Sequence, residues 1–167
     1  QFPLAIEMYE VNRSKHPAHV ATYDSLIPLA RCYLRGGEEE ASKAEHILIH
    51  IVTNSSFFRP EAKQFREALF ELGSLYFRQK QWAKCIRRLE EAVQRYPDDS
   101  QTIKAMYLLA DAYRRGGQML DERIAEAENA ALQQELAEER SQRLRRAKDL
   151  FEAIINWLQP VAEEDIT

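Results

Sequence analysis

The residue types that could carry chemistry are few in this chain, and their spacing is not that of a catalytic centre. His46 and His50 lie four residues apart on a predicted helix, a spacing that can place two imidazoles on one metal ion. No Cys, Asp or third His follows at a matching local spacing, so we expect solvent-facing histidines. Because the sequence has no HExxH, GxSxG or Cys-x2-Cys motif and no phosphate-binding glycine-rich loop, it predicts a protein that is not an enzyme and has no cofactor.

The two cysteines and the overall composition narrow the class further. Cys32 and Cys85 are too few for a disulfide framework, and both lie on predicted apolar helix faces, so we expect inert core thiols. A net charge of −4 excludes a generally basic nucleic-acid binder. No run of about 18 apolar residues could span a membrane. Gly and Pro are few, five and six, and most of them lie between periodic stretches, which favours long helices over a sheet protein.

The stretch 69–97 has the residue pattern of a helical hairpin. It reads LFELGSLYFRQKQWAKCIRRLEEAVQRYP and begins with the spacing L-x2-L-G-x2-Y. The small residues Gly73 and Cys85 would let two antiparallel helices approach closely, and the final proline cannot continue the second helix. The same spacing, with Ala at the small position, recurs at 26–33 and, with Met at the first position, at 106–113. The chain is therefore built from repeats.

These repeats divide one predicted domain, residues 1–167, into four segments. Residues 2–16 have Ala and Tyr four apart and a proline beyond, the pattern of a second helix whose first helix is missing. Full hairpins follow at 19–54 and 61–97, and a third repeat with a long inserted helix occupies 100–158. Because the chain begins within a helical pattern, we expect it to be a fragment of a longer protein.

Glycine pairs and prolines predict where the helices begin and end. Gly36-Gly37 and Gly116-Gly117 are expected to stop first helices, since glycine readily takes the left-handed conformation. Pro28, inside the first helix of a repeat, is expected to kink that helix or delay its start. Residues 97–100, Pro-Asp-Asp-Ser, predict a turn and an N-cap whose side-chain oxygens accept free backbone N–H groups.

Residues 118–158 depart from the repeat spacing. The second-helix signature, Ala147 and Phe151 followed by a proline, comes roughly 25 residues later than the repeat register requires. The intervening residues contain no Gly or Pro and are mostly strong helix formers. We expect one continuous helix of about 40 residues, roughly 60 Å long, whose first part projects beyond the body. A break near Ser141, giving two helices, is the alternative.

The chain resembles tetratricopeptide-repeat (TPR) proteins, most clearly over residues 19–117. The signatures above and the phrase YPDDSQTIKAMYLLADAYRRGG are similar to those of bacterial cell-envelope scaffolds, among them the lipoprotein subunit of the outer-membrane barrel assembly machinery. The resemblance implies an all-α fold, a right-handed α-solenoid of antiparallel helix hairpins, here with an extended last helix. It implies a non-catalytic protein–protein interaction scaffold that binds a peptide segment or partner subunit in a concave groove. It also favours a periplasmic or cell-envelope location, with a cytoplasmic one left open.

The geometry that the resemblance implies places the binding residues on the inner faces of the first helices. Arginines alternate there with aromatic and aliphatic side chains, which suits a partner with acidic and apolar residues, since Arg pairs with carboxylates and aromatics anchor apolar groups. The predicted binding residues are Ile27, Arg31, Leu34, Arg35, Phe70, Phe77, Arg78, Tyr107 and Arg114. The alternative is that Phe70, Phe77 and Tyr107 pack between repeats and that the arginines are solvated.

The long predicted helix, 119–158, supports a second hypothesis for function. Its acidic residues come early and its basic residues late, which complements the helix dipole and would also let two copies pair antiparallel. A structural spacer or self-assembly module, forming a homodimer through this helix, is therefore the alternative to peptide binding. An apolar stripe of Leu120, Ile124, Ala127 and Ala131 would begin that contact but fails over 138–143.

Overall fold

The computed structural model of the chain describes residues 2–17, 19–54 and 57–164, which form eight α-helices and no strand. The helices are α1 Phe2–Lys15, α2 Val20–Tyr33, α3 Glu38–Thr53, α4 Lys63–Arg78, α5 Trp82–Arg95, α6 Thr102–Gln118, α7 Leu120–Ala125 and α8 Ala130–Glu164. The predicted all-α class is therefore confirmed for the described residues. None of the helices described is long and apolar enough to cross a bilayer. The chain divides into two compact units, Gln1–Leu75 and Tyr76–Thr167.

In the first unit, α2 packs against both α1 and α3. The repeat signature supplies the core, since Leu29 and Ala30 of α2 are fully buried together with Leu48 of α3. The hydroxyl of the signature tyrosine, Tyr33, donates to Glu10 Oε1 of α1 at 2.9 Å. Apolar residues at helical spacing thus give α2 the wide buried face that both of its neighbours need.

The ends of α2 follow from local signals. The side chain of His19 caps the first turn by accepting a backbone N–H, and α2 begins at Val20. The expected delay of the start at Pro28 is therefore wrong, because this cap and the buried residues on both sides of the proline outweigh its lost hydrogen bond. The helix ends at Tyr33, and Gly37 has a φ of +109°, which favours glycine. Helix α2 therefore ends just before Gly36-Gly37, as the sequence predicts.

In the second unit, α6 packs against α5 and α8. The apolar face of α5 is buried, with Cys85 and Leu89 fully enclosed, and Leu109 and Ala110 of the α6 signature are buried as well. On α8 the delayed second-helix signature also faces the core, since Ala147 is only 3% exposed.

The turn before α6 is held by side chains, although the cap differs from the prediction. Asp99 Oδ1 accepts the backbone N–H of Gln101 at 2.9 Å, and the Thr102 hydroxyl donates to the carbonyl of Tyr96 at 2.6 Å. The cap position itself is Gln101, whose side chain makes no capping bond. The turn that was expected at 97–100 thus reaches one residue further before the helix begins.

The second glycine pair does not stop a helix, so that prediction is wrong. Gly116 and Gly117 lie within α6. A Cβ atom on Gly116 would lie 2.7 Å from Arg143 Nη1 and 3.3 Å from Trp82 Cβ, and one on Gly117 would lie 3.2 Å from Leu144 Cδ2. The pair therefore lets α5 and α8 approach α6 more closely than larger residues would allow.

The segment after α6 is not one continuous helix. The short helix α7 ends at Ala125, and α8 begins only at Ala130. Asn129 explains where α8 begins, because its Oδ1 accepts the backbone N–H of Leu132 at 2.9 Å in the manner of an N-cap. Since α8 then continues through Ser141, both the single helix and the alternative break at that residue are wrong.

The inserted residues fold back instead of projecting. Helix α7 packs against α8 and α6, and Leu120 of α7 and Leu136 of α8 are both buried. An ion pair between Asp121 and Arg140 joins the same two helices. The expectation of a projecting arm is wrong, because α7 packs against α6 and α8 and buries Leu120, the first residue of the predicted apolar stripe. Ala131, at the other end of that stripe, is exposed. The last helix is still extended, with 35 residues and a length of about 52 Å.

Candidate functional site

The predicted binding residues of the first unit differ in how far solvent reaches them. Ile27 of α2 is 1% exposed and Phe70 of α4 is 4% exposed, so both belong to the core. Leu34 follows the end of α2 and is half-buried, and Arg35 beside it is exposed. Of these four residues, only Leu34 and Arg35 offer surface to a partner.

Arg31 is already paired within the first unit. Its Nε lies 2.7 Å from Glu71 Oε1, and its Nη1 lies 3.8 Å from Glu67 Oε2, both on α4. The Gln64 side chain donates to Asp24 Oδ1 at 2.6 Å and adds a second polar link between the same helices. Because Arg31 remains 42% exposed, it reaches solvent while it tethers α2 to α4.

Phe77 and Arg78, which belong to the second unit, are the last two residues of α4. Phe77 is half-buried and meets the Trp82 ring edge-on, with ring centroids 5.5 Å apart. The Arg115 guanidinium lies 5.9 Å from the Phe77 ring and 5.8 Å from the Trp82 ring, within the range of cation–π attraction. Phe77 therefore packs within the unit, whereas Arg78 is exposed.

Arg114 belongs to a buried-carboxylate cluster on α6, which we call the Asp111 cluster. Asp111 is 5% exposed and accepts hydrogen bonds from Arg114 Nε at 2.9 Å and from Arg115 Nε at 2.6 Å. Burial raises the pKa of Asp111, but the hydrogen bonds and charges of the two guanidinium groups outweigh burial, so its pKa is lowered. The cluster fixes Arg114 while leaving 41% of its side chain exposed.

Tyr107 is the most accessible of the predicted aromatic residues. It is 55% exposed, and its ring meets Phe151 of α8 edge-on at 5.9 Å. One and two turns further along α8, Ile155 is 53% and Leu158 is 48% exposed. These side chains form an apolar patch on the second unit, which we call the α8 patch.

The contacts therefore separate the nine predicted residues into three groups. The core takes Ile27 and Phe70, and internal ion pairs occupy Arg31 and Arg114. The third group reaches solvent or lies half-buried and consists of Leu34, Arg35, Phe77, Arg78 and Tyr107. Within the second unit, the stacking of Arg115 on Phe77 brings the end of α6 to the end of α4, so Arg78 and Arg114 belong to neighbouring helix ends.

His46 and His50, which the sequence predicts to face solvent, are both exposed, and they border a mostly apolar cavity. His46 and His50 border a space of about 460 Å³ in the first unit, together with Tyr23, Leu26 and Phe57. Tyr23 stacks on Phe57 with ring centroids 5.6 Å apart. Among the residues that the structure describes, no group of three or more His, Cys, Asp or Glu could hold a metal ion.

The two thiols differ in accessibility. Cys85 is fully buried, and burial raises the pKa of its thiol to about 12. Cys32 is half-buried. A thiolate is the reactive form of cysteine, so Cys85 is inert in the folded chain.

A basic pocket in the second unit has no counterpart in the sequence interpretation. It encloses about 350 Å³ and is bordered by Lys80, Lys84, Arg123 and Arg143. Lys80 and Lys84 lie four residues apart, but Arg123 of α7 and Arg143 of α8 join them only through the packing of these helices, which no local spacing predicts. The Asp111 cluster, in contrast, has a local signal, since its arginines follow Asp111 at positions i+3 and i+4.

The fold and its surfaces define an all-α protein of packed helical hairpins. Residues 64–124 match the family model described as tetratricopeptide repeat. This part of the chain spans most of α4, all of α5 and α6, and most of α7. The predicted TPR family is therefore supported for this region, and such repeats generally mediate protein–protein interactions.

Solved structures with the same kind of fold extend the likeness to nearly the whole chain. The chain is similar to the nearly identical TPR-like repeats of a candidate kinesin light chain from Podosopora anserina, at a TM-score of 0.57 and 20% identity, over 93% of this chain and 86% of that one. A point variant of those repeats gives the same TM-score, with 19% identity over 98% of this chain and 89% of that one. At such identities the likeness establishes a TPR-like fold. No curated protein sequence shows significant similarity to the chain.

Proposed function

We propose that this chain is a non-catalytic interaction scaffold that binds a protein or peptide partner through the accessible residues of its first helices. The observation that supports the proposal most directly is the match of residues 64–124 to a repeat family that mediates protein–protein interactions. The signature residues of the repeats are buried in the core, whereas arginines at the ends of α2, α4 and α6 reach solvent.

The partner that fits these residues has acidic and apolar side chains. Arg35 and Arg78 are exposed, and Arg114 is held in place by the Asp111 cluster. A fixed guanidinium loses less side-chain freedom when it pairs with a carboxylate, so it contributes more to binding than a mobile one. Leu34 and Tyr107 supply the apolar surface in the first and second units. We call these accessible residues the first-helix surface: Leu34, Arg35, Arg78, Tyr107 and Arg114.

A charge reversal at Arg78 is the sharpest test of this proposal. Arg78→Glu changes an exposed side chain at the end of α4, the first helix of its hairpin. Arg87→Glu makes the same change at an exposed position of α5, the second helix of that hairpin, which is outside the proposed surface. The resemblance to cell-envelope scaffolds makes a periplasmic extract the first source of partners to capture. The dissociation constant of a purified captured partner is then measured against native chain and both variants.

The two variants must behave differently if the proposal is right. We expect R78E to weaken binding by about tenfold or more, since a charge-assisted hydrogen bond is replaced by repulsion. R87E should bind like the native chain. Equal affinity for all three proteins would refute a role for the first-helix surface. Equal weakening by both variants would show that binding depends on the overall positive charge and not on Arg78 in particular.

Self-association is a second candidate function, which the α8 patch favours. Ile155 and Leu158 lie one and two turns beyond Phe151, the residue of α8 that Tyr107 contacts. Large exposed apolar side chains in such a group often mark an interface. Under this alternative, Ile155→Glu together with Leu158→Glu should convert a dimer to a monomer in sedimentation equilibrium. A native chain that is monomeric at about 100 µM would remove this candidate, since that concentration is well above a micromolar dissociation constant.

A further inference from the structure

The basic pocket of the second unit gathers positive charge that the chain as a whole does not have. The net charge of the chain is −4, yet the side chains that border this cavity of about 350 Å³ include four cations and, among those described there, no carboxylate. Lys80, Lys84 and Arg123 are exposed, and Arg143 is half-buried. Clustered like charges cost free energy, so their convergence in one concave space points to an anion that offsets the repulsion.

Three of the four residues, Lys80, Lys84 and Arg143, are positioned by contacts with their neighbours. Lys80 has a φ of +57°, and the backbone N–H of the next residue donates to the Tyr76 carbonyl at 2.9 Å, which fixes the turn at the end of α4. Lys84 Nζ lies 5.1 Å from the centre of the Tyr76 ring. Arg143 Nη2 lies 2.5 Å from Glu139 Oε1, which holds the guanidinium and offsets part of its charge.

Apart from Gln81, the other side chains of the wall are apolar. Trp82 and Leu120 form buried parts of the wall, and Met119, which is 59% exposed, forms an accessible part. The Trp82 indole N–H points to Met119 Sδ at 2.9 Å, so these two side chains are joined. Gly116 leaves the room that the Arg143 guanidinium occupies, since a Cβ atom there would lie 2.7 Å from Arg143 Nη1.

We propose that this basic pocket binds the phosphoryl group of a phosphorylated side chain in a partner protein. A phosphomonoester carries about 1.5 to 2 negative charges and three strong acceptor oxygens, which suit several converging cations better than one carboxylate does. The cavity is larger than a phosphate ion requires, and Met119 offers an apolar surface to the stem of the modified side chain. The pocket shares no residue with the first-helix surface, so either proposal can fail alone.

The test titrates the full chain with three probes and follows backbone amide resonances. The probes are a degenerate peptide pool with one central phosphoserine, the same pool with serine, and inorganic phosphate. Two substitutions at exposed pocket residues, Lys84→Glu and Arg123→Glu, are combined in one variant. Lys104→Glu, at an exposed position of α6 outside the pocket, is the matched charge reversal. Circular dichroism spectra confirm that each variant is folded.

The expected result is a saturable shift of the Ala83 and Lys84 amides with the phosphoserine pool only. The double variant should bind that pool at least tenfold more weakly, as the loss of charge-assisted hydrogen bonds implies, and K104E should bind it like the native chain. Equal binding of the serine pool, or an unchanged affinity in the double variant, would overturn the proposal.

Two further outcomes separate the source of the anion. If inorganic phosphate shifts the same amides as tightly as the phosphoserine pool does, the partner peptide contributes nothing and the assignment to a protein partner is wrong. A single-stranded oligonucleotide is added as a fourth titrant. Tighter binding of the oligonucleotide at these amides would replace a phosphoprotein partner by a nucleic acid and would also overturn the proposal.

Discussion

Replacing Asp111 by asparagine tests how much the charge of this carboxylate on α6 contributes to the stability of the fold. The substitution keeps the shape of a side chain that is 5% exposed but removes the charge that Arg114 and Arg115 share. The new amide also points an NH2 group toward guanidinium donors, which leaves one hydrogen bond without an acceptor. We therefore expect Asp111→Asn to lower the free energy of unfolding.

The size of the effect follows from the contacts. A hydrogen bond to a charged group contributes about 1.5–3 kcal/mol when it is shielded from solvent. The Arg114 and Arg115 side chains are 41% and 47% exposed, so water screens much of this interaction. We expect a loss of about 2 kcal/mol, which in a chain of this length lowers the melting temperature by roughly 4–8 °C.

Urea denaturation followed by far-ultraviolet circular dichroism at pH 7 measures this difference. Asp149→Asn is the matched control, because Asp149 is exposed on α8, and we expect that variant to remain within about 0.5 kcal/mol of the native chain. A D111N variant as stable as the control would refute the reasoning, since it would show that the buried carboxylate gains nothing from its two arginines.

The pH dependence has a definite sign. The pKa of Asp111 is lowered in the folded chain, so its contribution to stability is present above the unfolded value of about 3.9. That contribution is lost as the pH falls through the lower folded pKa. The native chain and D111N should therefore converge in stability below about pH 3.9, and a constant difference between them down to acid pH would contradict the electrostatic origin.

Three other predictions concern the hairpin of α7 and α8 and two buried groups. Leu120→Ala should cost about 2–3 kcal/mol in urea denaturation, because Leu120 is 3% exposed; a loss under about 0.5 kcal/mol would mean that α7 does not pack. In a Cys32→Ser variant, a thiol reagent at pH 8 should modify Cys85 only on unfolding, since burial raises its pKa to about 12, and rapid labelling of the folded chain would contradict this. Burial, the hydrogen bond to Glu10 and the charge of that carboxylate raise the pKa of Tyr33 to about 12. The protonated Tyr33 hydroxyl therefore contributes to stability below its unfolded pKa of about 10, and this contribution is lost as the pH rises toward 12. The difference in absorbance at 295 nm between the native chain and Tyr33→Phe should titrate with a midpoint near 12. A midpoint near 10 would contradict the raised pKa.

The helix positions could be predicted where the residue pattern repeats. Leu29, Ala30 and Tyr33 have their signature spacing because each faces the core of a hairpin, so the pattern and the burial have one cause. The same logic failed for Gly116-Gly117, since glycine serves a helix end and a close helix contact equally well. The neighbours of Gly116-Gly117 decide its role, and these neighbours, Trp82, Arg143 and Leu144, lie far away in sequence.

The candidate binding residues were less predictable for a related reason. Spacing along one helix assigns a residue to a face, but the exposure of that face depends on what packs against it. Ile27 and Phe70 are buried for this reason, and Arg31 is paired with glutamates 36 and 40 residues away. The basic pocket depends on the break between α7 and α8, after which Asn129 caps the start of α8. The strong helix formers on both sides of this break do not predict it.

The placement of the two tryptophans makes the chain its own spectroscopic reporter. Trp82 is buried beside Met119 and Arg115, whereas Trp157 is 56% exposed on α8. Both belong to the second unit, and the first unit has no tryptophan at all. Emission from a Trp157→Phe chain would therefore come from the wall of the basic pocket alone. A denaturation curve recorded by that emission would follow the second unit, and its separation from a curve recorded by circular dichroism would show directly whether the two units unfold together.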